Sequence, residues 1–127
     1  MKYLLDTHVI IWILGDKEKF SDKTFRIIID PGNVKYVSIA SAWEVAIKIG
    51  KGNLRLDGGV SSFLRTTDRH GIKLLPIKQK HIKTLETLPL LHRDPFDRIL
   101  VASAMSESMC LITADTNIPL YDIACLW

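Results

Sequence analysis

Short apolar segments alternate with longer helical segments along the chain, and this alternation constrains the fold more than any other feature of the sequence. The apolar segments have the length of strands, and they are residues 2–5, 34–38, 73–77, 110–113 and 122–126. The segments between them have helical spacing, and they are residues 7–14, 21–30, 41–49, 60–70, 79–88 and 95–108. Because each crossover between parallel strands must cover a face of the sheet, the pattern predicts a three-layer α/β/α domain. Its central sheet should be mostly parallel, with four to five strands.

The length of the chain predicts a single domain over residues 1–127, because 127 residues are too few for two domains of ordinary size. Apolar residues make up 47% and charged residues 24%, a balance that argues against disordered, collagen-like and repeat proteins. The longest apolar run, residues 9–14, is far shorter than the roughly 20 residues that a membrane helix needs. Since no secretory cleavage site follows the start, we expect a cytoplasmic protein.

The cysteines and the net charge carry little functional information. Cys110 and Cys125 lie in apolar surroundings, where free buried thiols are more common than metal ligands or disulfides. The net charge of +3 permits a nucleic-acid partner without requiring one.

Four carboxylates occupy comparable positions around the predicted strands. Asp6 follows the first strand and Asp115 follows the fourth. Glu44 lies in the predicted first turn of the helix after the second strand, and Asp97 in the first turn of the helix before the fourth. Because ligands bind at the carboxyl ends of parallel strands, where loops and helix starts meet, we expect all four side chains at that edge of the sheet.

Such a cluster is unfavourable without a counter-ion, since two like charges about 4 Å apart repel by roughly 4 kcal/mol at an effective dielectric of 20. Mg²⁺ or Mn²⁺ would relieve this repulsion, because these hard cations prefer carboxylate and water oxygens. A cation held in this way suits phosphodiester hydrolysis by a metal-activated water. Glycoside hydrolysis fits less well, because it needs only two carboxylates and no metal.

Four segments together resemble the PIN-domain ribonucleases, and most of all the VapC-like toxins of type II toxin-antitoxin pairs. The segments are Asp6-Thr7-His8, Ser41-x-x-Glu44, His92-Arg93-Asp94-Pro95-Phe96-Asp97-Arg98 and Thr113-Ala114-Asp115. The resemblance runs from Lys2 to Trp127. It implies a PIN-like domain and a Mg²⁺-dependent endoribonuclease, with an RNA substrate, a small antitoxin protein as partner and a homodimer as the assembly.

The resemblance also implies a role for each residue of the site. Asp6, Glu44, Asp97 and Asp115 would be the catalytic, metal-binding quartet. Three hydroxyl residues would line the site: Thr7, Ser41 and Thr113. The role of Asp94 stays open in the family pattern.

Local structure offers a competing interpretation for several of these residues. Ser41-x-x-Glu44 also fits a helix capping box. Asp94 before Pro95 is typical of a helix N-cap, and Asp115 of an Asx turn. The four histidines are better explained as surface or hydrogen-bonded residues than as metal ligands: His8, His70, His81 and His92. Core or interface packing best explains the tryptophans, although Trp43 beside Glu44 is ambiguous: Trp12, Trp43 and Trp127.

Positive charge lies beside the acids in the sequence. A rim that tracks RNA phosphates is one explanation, and a solvated helix face is the other. The residues are Lys48, Lys51, Arg55, Arg93 and Arg98. Three further function classes compete with the leading one. They are a processing or decay nuclease that acts without an antitoxin, an inactive interaction module, and a magnesium phosphatase of the haloacid-dehalogenase type. The phosphatase lacks support, because Asp6-Thr7-His8 has no second aspartate two residues on.

Overall fold

Five parallel strands form the central sheet of the computed structural model, which describes residues 1–127. The strands are β1 (Lys2–Leu5), β2 (Val34–Ser38), β3 (Lys73–Leu75), β4 (Cys110–Ile112) and β5 (Cys125–Leu126). Their order is β3-β2-β1-β4-β5, and every neighbouring pair is parallel. The predicted parallel α/β sheet is therefore confirmed.

Six α-helices connect the strands. They are α1 (Thr7–Gly15), α2 (Asp22–Ile29), α3 (Ile39–Gly50), α4 (Gly59–Arg69), α5 (Gln79–Thr87) and α6 (Pro95–Glu107). Two short 3₁₀ helices, which the sequence did not predict, lie at Lys17–Lys19 and Ile118–Leu120. A parallel sheet needs such crossovers, because a hairpin can join only antiparallel strands.

Alternate residues of each central strand point into two separate cores. Leu5 and Ile112 pack on one face with residues of α1 to α4, such as Phe63. Leu4 and Leu111 pack on the other face with residues of α6, such as Leu100. Both faces of the sheet are thus covered, which explains why its central strands read as continuous apolar runs.

The start of α3 differs from the prediction. We expected the helix to begin at Ser41, but it begins at Ile39, because Ser38 is the N-cap and its Oγ accepts from the amide of Ala40 at 3.0 Å. The capping-box interpretation of Ser41 and Glu44 is therefore wrong. Glu44 lies in the second turn of the helix rather than the first.

Two strands are shorter than predicted. The third predicted strand, residues 73–77, ends at Leu75, because the proline that follows has no amide hydrogen to donate to a ladder. The last predicted strand, residues 122–126, is reduced to Cys125–Leu126. The chain before it bends where the Ile123 amide donates to the Tyr121 carbonyl at 2.9 Å.

Two smaller expectations are confirmed. Both cysteines are free, with Cys110 buried and Cys125 partly buried. None of the helices combines the length and the apolar character that crossing a membrane would require.

Candidate active site

The candidate site lies at the carboxyl edge of the sheet, where the strand order reverses around β1. Asp6 follows β1 directly, and its amide donates to the carbonyl of Ile112 in β4 at 3.0 Å. Thr113 follows β4, and α3 follows β2. Since α6 leads back into the parallel strand β4, its first turn lies at the same edge. Open α/β sheets bind their ligands at such a switch point.

Asp6 is a buried carboxylate with two hydrogen bonds. It caps α1 by accepting from the amide of Thr7 at 2.6 Å, and its other oxygen accepts from Thr113 Oγ1 at 2.7 Å. Burial raises the pKa of Asp6 above its ordinary value, although these hydrogen bonds and the nearby His8 act to lower it. The fold thus holds an acid where ionisation is costly without a cation.

Glu44 is also buried, and hydroxyl groups surround it. Thr7 Oγ1 donates to Glu44 Oε1 at 2.7 Å and lies 2.8 Å from Ser41 Oγ. The structure therefore brings the three predicted hydroxyl residues to the carboxylates, with Thr7 and Ser41 beside Glu44 and Thr113 beside Asp6.

Lys48 pairs with the other oxygen of Glu44. Its Nζ lies 2.7 Å from Oε2, one turn along α3. Burial acts to lower the pKa of Lys48, but its hydrogen bond to Glu44 and the charges of Glu44, Asp94 and Asp97 outweigh it and raise the pKa. One lysine therefore partly compensates the acidic cluster.

The negative charges of the other acids act on Asp97. It is the third residue of α6, and its side chain is 13% exposed. Burial, together with the charges of four other acids, raises the pKa of Asp97 to about 8. Those acids are Asp6, Asp94, Asp115 and Glu44. The other three predicted quartet members therefore all act on Asp97.

Asp94 and Asp115 both have local structural roles. Asp94 is the N-cap of α6, and its Oδ1 accepts from the amides of Phe96 at 2.9 Å and Asp97 at 3.1 Å. Asp115 Oδ1 accepts from the amide of Asn117 at 2.7 Å, as an Asx turn requires. The Asp115 amide also donates to Thr113 Oγ1 at 3.0 Å, which links it to Asp6. Asp115 therefore forms the Asx turn and is also linked to Asp6.

The donor set at this edge fits a hard divalent cation. No three Asp, Glu, His or Cys side chains converge closely enough to hold a metal by themselves. Mg²⁺ does not require such a cage, since it keeps several waters and takes one or two carboxylates directly. A cavity of about 240 Å³ opens beside Asp6 and Asp115 and leaves room for those waters. Oxygen-only ligands and excess negative charge favour Mg²⁺ or Mn²⁺ over zinc.

The five basic residues fall into two groups. Lys51, Arg55 and Arg93 are exposed. The other two, Lys48 and Arg98, contact groups within the protein. Lys48 forms an ion pair with Glu44, and Arg98 donates hydrogen bonds. The guanidinium of Arg98 donates to the carbonyls of Pro89 at 2.8 Å and Leu88 at 3.3 Å, and to the hydroxyl of Tyr121 at 3.0 Å.

Sequence reasoning missed the contact between His92 and Asp97. His92 Nε2 lies 3.4 Å from Asp97 Oδ2, and His92 Nδ1 lies 2.7 Å from the hydroxyl of Tyr121. His92 precedes the acidic segment and could have been found by its closeness to Asp97 in the sequence. Tyr121 left no such signal, because only the tertiary fold brings it to the site.

The tryptophans differ in exposure. Trp12 packs edge-on against Trp127, with ring centroids 5.2 Å apart, and also contacts Phe20. Trp43 is 60% exposed, and its ring packs edge-on against Phe96 at 5.2 Å. Packing therefore explains Trp12 and Trp127, while Trp43 lies on the surface between α3 and α6.

Solved structures similar to this chain include three VapBC proteins. VapBC2 from Rickettsia felis, bound to a DNA fragment from its promoter, aligns with a TM-score of 0.77 and 13% identity, over 99% of this chain and 98% of that one. VapBC-1 from nontypeable Haemophilus influenzae aligns with a TM-score of 0.68 and 18% identity, over 99% and 97%. VapBC-5 from Mycobacterium tuberculosis, a member of the VapBC family of toxin-antitoxin systems, aligns with a TM-score of 0.59 and 18% identity, over 98% and 95%. At these identities the likeness shows the fold.

The sequence comparisons complete the assignment. No curated protein matches the chain. The family model of the PIN domain matches residues 3–124, which include all four quartet carboxylates. The chain therefore belongs to the PIN domain family.

Proposed function

We propose that this protein is a Mg²⁺-dependent endoribonuclease of the VapC-like toxin type, and that Mn²⁺ can replace Mg²⁺. The observation that carries the proposal is the placement of buried Asp6 and Glu44 with Asp97 and Asp115 at one edge of the sheet, where the charges of the other three acids act on Asp97. Repulsion of this kind destabilises a protein unless one acid takes up a proton or the cluster binds a cation. A purely structural set of caps and turns would not need four acids around one edge.

Asp6, Glu44, Asp97 and Asp115 would hold the cation together, one or two of them directly and the others through its bound waters. When bound, the cation polarises the scissile phosphate, acidifies the attacking water and neutralises developing charge. Thr113 and Thr7 orient the carboxylates of Asp6 and Glu44 through hydrogen bonds of 2.7 Å each. Burial of these carboxylates keeps bulk water from weakening their attraction for the cation.

The exposed basic residues would bind the RNA strand. Lys51, Arg55 and Arg93 have free side chains at the surface, so they can contact phosphates. Such contacts give affinity and position the strand but carry little sequence information. Lys48 and Arg98, which are engaged within the protein, contribute less to this surface.

A small antitoxin is the proposed partner, by analogy with the toxin-antitoxin families of the similar structures. A groove of about 700 Å³, lined by His8, Trp12 and Arg55 among others, lies beside the site. An amphipathic helix could occupy this groove, or a basic side chain could insert among the acids. We also propose a homodimer and a cytoplasmic location. The alternatives are an antitoxin-independent processing nuclease and an inactive interaction module.

The proposal is tested by Asp6→Asn. Asparagine can still cap α1, because its Oδ1 accepts from the Thr7 amide, so the fold should persist. The purified wild type should cleave RNA in the presence of Mg²⁺, and chelation of the metal should stop this cleavage. The variant should lose the activity. The matched control is Asp122→Asn, because Asp122 lies with Met1 and Ser108, away from the quartet.

Three outcomes separate the proposal from its alternatives. Unchanged cleavage by Asp6→Asn would remove the proposed role of the quartet. A wild type that neither binds Mn²⁺ in calorimetry nor cleaves RNA would favour the inactive module. The antitoxin-independent nuclease would be favoured if the protein cleaves RNA and no protein encoded by an adjacent reading frame suppresses that cleavage.

A further inference from the structure

A chain of hydrogen bonds leads from Arg98 to Asp97 through two side chains that the site described so far does not use. Arg98 Nη1 donates to the Tyr121 hydroxyl at 3.0 Å, and this hydroxyl lies 2.7 Å from His92 Nδ1. His92 Nε2 then lies 3.4 Å from Asp97 Oδ2. Tyr121 is 4% exposed and the His92 side chain 11%, so water competes little for these bonds.

The chemistry of the chain fixes the tautomer of His92. A guanidinium has only donors, so the Tyr121 oxygen must accept from Arg98. The hydroxyl hydrogen of Tyr121 then donates to His92 Nδ1. If Nδ1 carried the proton instead, the oxygen of Tyr121 would face two donors and its own hydrogen would lack a partner. The neutral ring therefore carries its proton on Nε2, the nitrogen that faces Asp97.

We propose that His92 is a positioning residue that holds the Asp97 carboxylate through Oδ2, and that Tyr121 and Arg98 fix the orientation of His92. This inference rests on the proposed function, because it concerns a carboxylate proposed to hold the cation. Histidine and hydroxyl groups beside metal ligands commonly orient those ligands in this way.

Asp97 needs such a support because its surroundings repel it. The charges of Asp6, Glu44, Asp94 and Asp115 all act on it. The backbone of α6 fixes its Cα, but rotation of its side chain toward water would relieve the repulsion. The contact with His92 opposes that rotation of the ionised carboxylate and would leave Oδ1 available to a cation.

The chain also joins three segments that carry the site. Arg98 lies in α6 with Asp97, and it donates to the carbonyls of Leu88 and Pro89 in the loop that leads to His92. Tyr121 follows the 3₁₀ helix after Asp115. A change at any member should therefore alter metal affinity.

The first experiment compares His92→Asn with His92→Gln. The amide nitrogen of glutamine reaches about as far as Nε2, whereas that of asparagine reaches only about as far as Nδ1. We expect His92→Asn to lose about tenfold in Mn²⁺ affinity by calorimetry, a typical effect for a residue that orients a metal ligand. His92→Gln should retain most of the affinity, and both variants should melt near the wild-type temperature. The matched control is His70→Asn, because His70 contacts only a backbone carbonyl of its own helix.

The second experiment uses Tyr121→Phe, which keeps the buried ring and removes the hydroxyl. Without it, His92 Nδ1 loses its donor, so ¹⁵N NMR of the imidazole should change from one tautomer to a mixture. This readout is independent of activity and of His92 substitution, so it tests the role of Tyr121 even if His92→Asn fails to fold. Mn²⁺ affinity of Tyr121→Phe should also fall, and a wild-type affinity in this variant would contradict the support of Asp97 through His92.

Each outcome has a distinct meaning. Mn²⁺ affinity in His92→Asn equal to that of the wild type would overturn the positioning role of His92 and leave the proposed nuclease intact. An unchanged tautomer in Tyr121→Phe would overturn the part assigned to Tyr121, because the contact with Asp97 would then hold the ring without it. A wild type that binds no Mn²⁺ and cleaves no RNA would overturn both proposals together.

Discussion

Asp6 combines a structural role with a proposed chemical role in one carboxylate. One oxygen caps α1 and the other accepts from Thr113 Oγ1, across the boundary between β1 and β4. A buried carboxylate of this kind is favourable only when its hydrogen bonds or a cation compensate for lost hydration. The residue that most clearly interrupted the apolar start of the sequence is therefore also firmly built into the site.

Substitution of Thr113 by valine should weaken both the fold and the metal site. The change keeps the shape but removes the donor to Asp6 and the acceptor for the Asp115 amide. We expect the free energy of unfolding to fall by about 1.5–3 kcal/mol, as for other hydrogen bonds to charged groups. Urea unfolding measures the first effect and Mn²⁺ titration the second.

Thr66→Val is the matched control for this prediction. The Thr66 hydroxyl bonds only to the Ser62 carbonyl of its own helix at 2.9 Å, so its loss should leave Mn²⁺ affinity unchanged. Equal Mn²⁺ affinity in the Thr113 and Thr66 variants would contradict the role of Thr113.

Metal binding should depend on pH because of Asp97. With its pKa raised to about 8, Asp97 is protonated at neutral pH in the metal-free protein, and a cation must displace that proton. Mn²⁺ affinity should therefore rise by up to about tenfold per pH unit as the pH approaches 8, with proton release. Calorimetry in buffers of different ionisation enthalpy measures both quantities.

Asp97→Asn should bind Mn²⁺ more weakly and with a shallower pH dependence, since Asp6 still titrates. A wild-type affinity that stays flat between about pH 6 and 8 would show that Asp97 does not take part in binding the cation.

At the scale of elements, a cluster around Glu107 joins α5 to α6. Its Oε1 accepts from buried His81 at 3.0 Å, and from Lys78 at 3.2 Å and Lys80 at 2.9 Å. His81 Nδ1 accepts from the Lys78 amide at 3.1 Å, so its proton lies on Nε2 and points to Glu107. This cluster fixes the helix that carries Asp97 against its neighbour.

The Glu107 cluster should give acid-dependent stability. The hydrogen bonds from His81 and Lys80 lower the pKa of Glu107 from 4.5 to about 2. Since the folded state then binds fewer protons, the stabilisation is present above about pH 4.5 and is lost as the pH falls toward 2. Glu107→Gln should therefore unfold more easily than the wild type in urea at neutral pH, and this difference should shrink at about pH 3.

Glu86→Gln, at an exposed position of α5, provides the comparison. Its unfolding should match the wild type at both pH values. A stability difference for Glu107→Gln that persists at low pH would mean that packing, rather than charge, holds the two helices together.

The boundaries of several elements depended on capping contacts and a backbone path that the sequence does not reveal. The helix after β2 was predicted to start at Ser41, whereas Ser38 caps it three residues earlier. Both serines are suitable caps, and the backbone path out of β2 decided between them. In contrast, β1 and β2 were predicted to the residue, because turn and cap residues mark their ends.

At the scale of the molecule, the acids of the site and the exposed cations proposed to surround it carry opposite charges. The carboxyl edge carries the acids, and the exposed cations Lys51, Arg55 and Arg93 would form a surrounding basic rim. The net charge of only +3 means that RNA affinity depends on where the cations lie rather than on their total.

The basic rim should set the salt dependence of RNA binding. In an Asp6→Asn background that prevents cleavage, Lys51→Gln, Arg55→Gln and Arg93→Gln should each weaken binding. Each should also reduce the slope of log affinity against log salt by about 0.7, the value for one phosphate contact to a single strand. Fluorescence anisotropy across a salt series measures this slope.

Lys2→Gln is the control, because Lys2 begins β1 and lies at the opposite edge of the sheet. If all three rim variants kept the slope of this control, the solvated-face explanation of these cations would be correct.

The sequence by itself determined the class of fold and most of the helices, and it singled out the four candidate acids. Apolar periodicity, caps and turn residues are local signals, and the alternation of strands and helices limits the sheet to parallel crossovers. Asp6 could be singled out because an acid inside an apolar segment is costly wherever it is buried.

Only the tertiary structure decided how the acids act on one another and which side chains support them. The pKa of Asp97 depends on charges from α1, α3 and the segment after β4, which are distant in sequence. The contact of His92 with Tyr121 likewise spans 29 positions of the chain. Electrostatic and hydrogen-bonding energies depend on distance in space, and sequence spacing fixes that distance only within a single element.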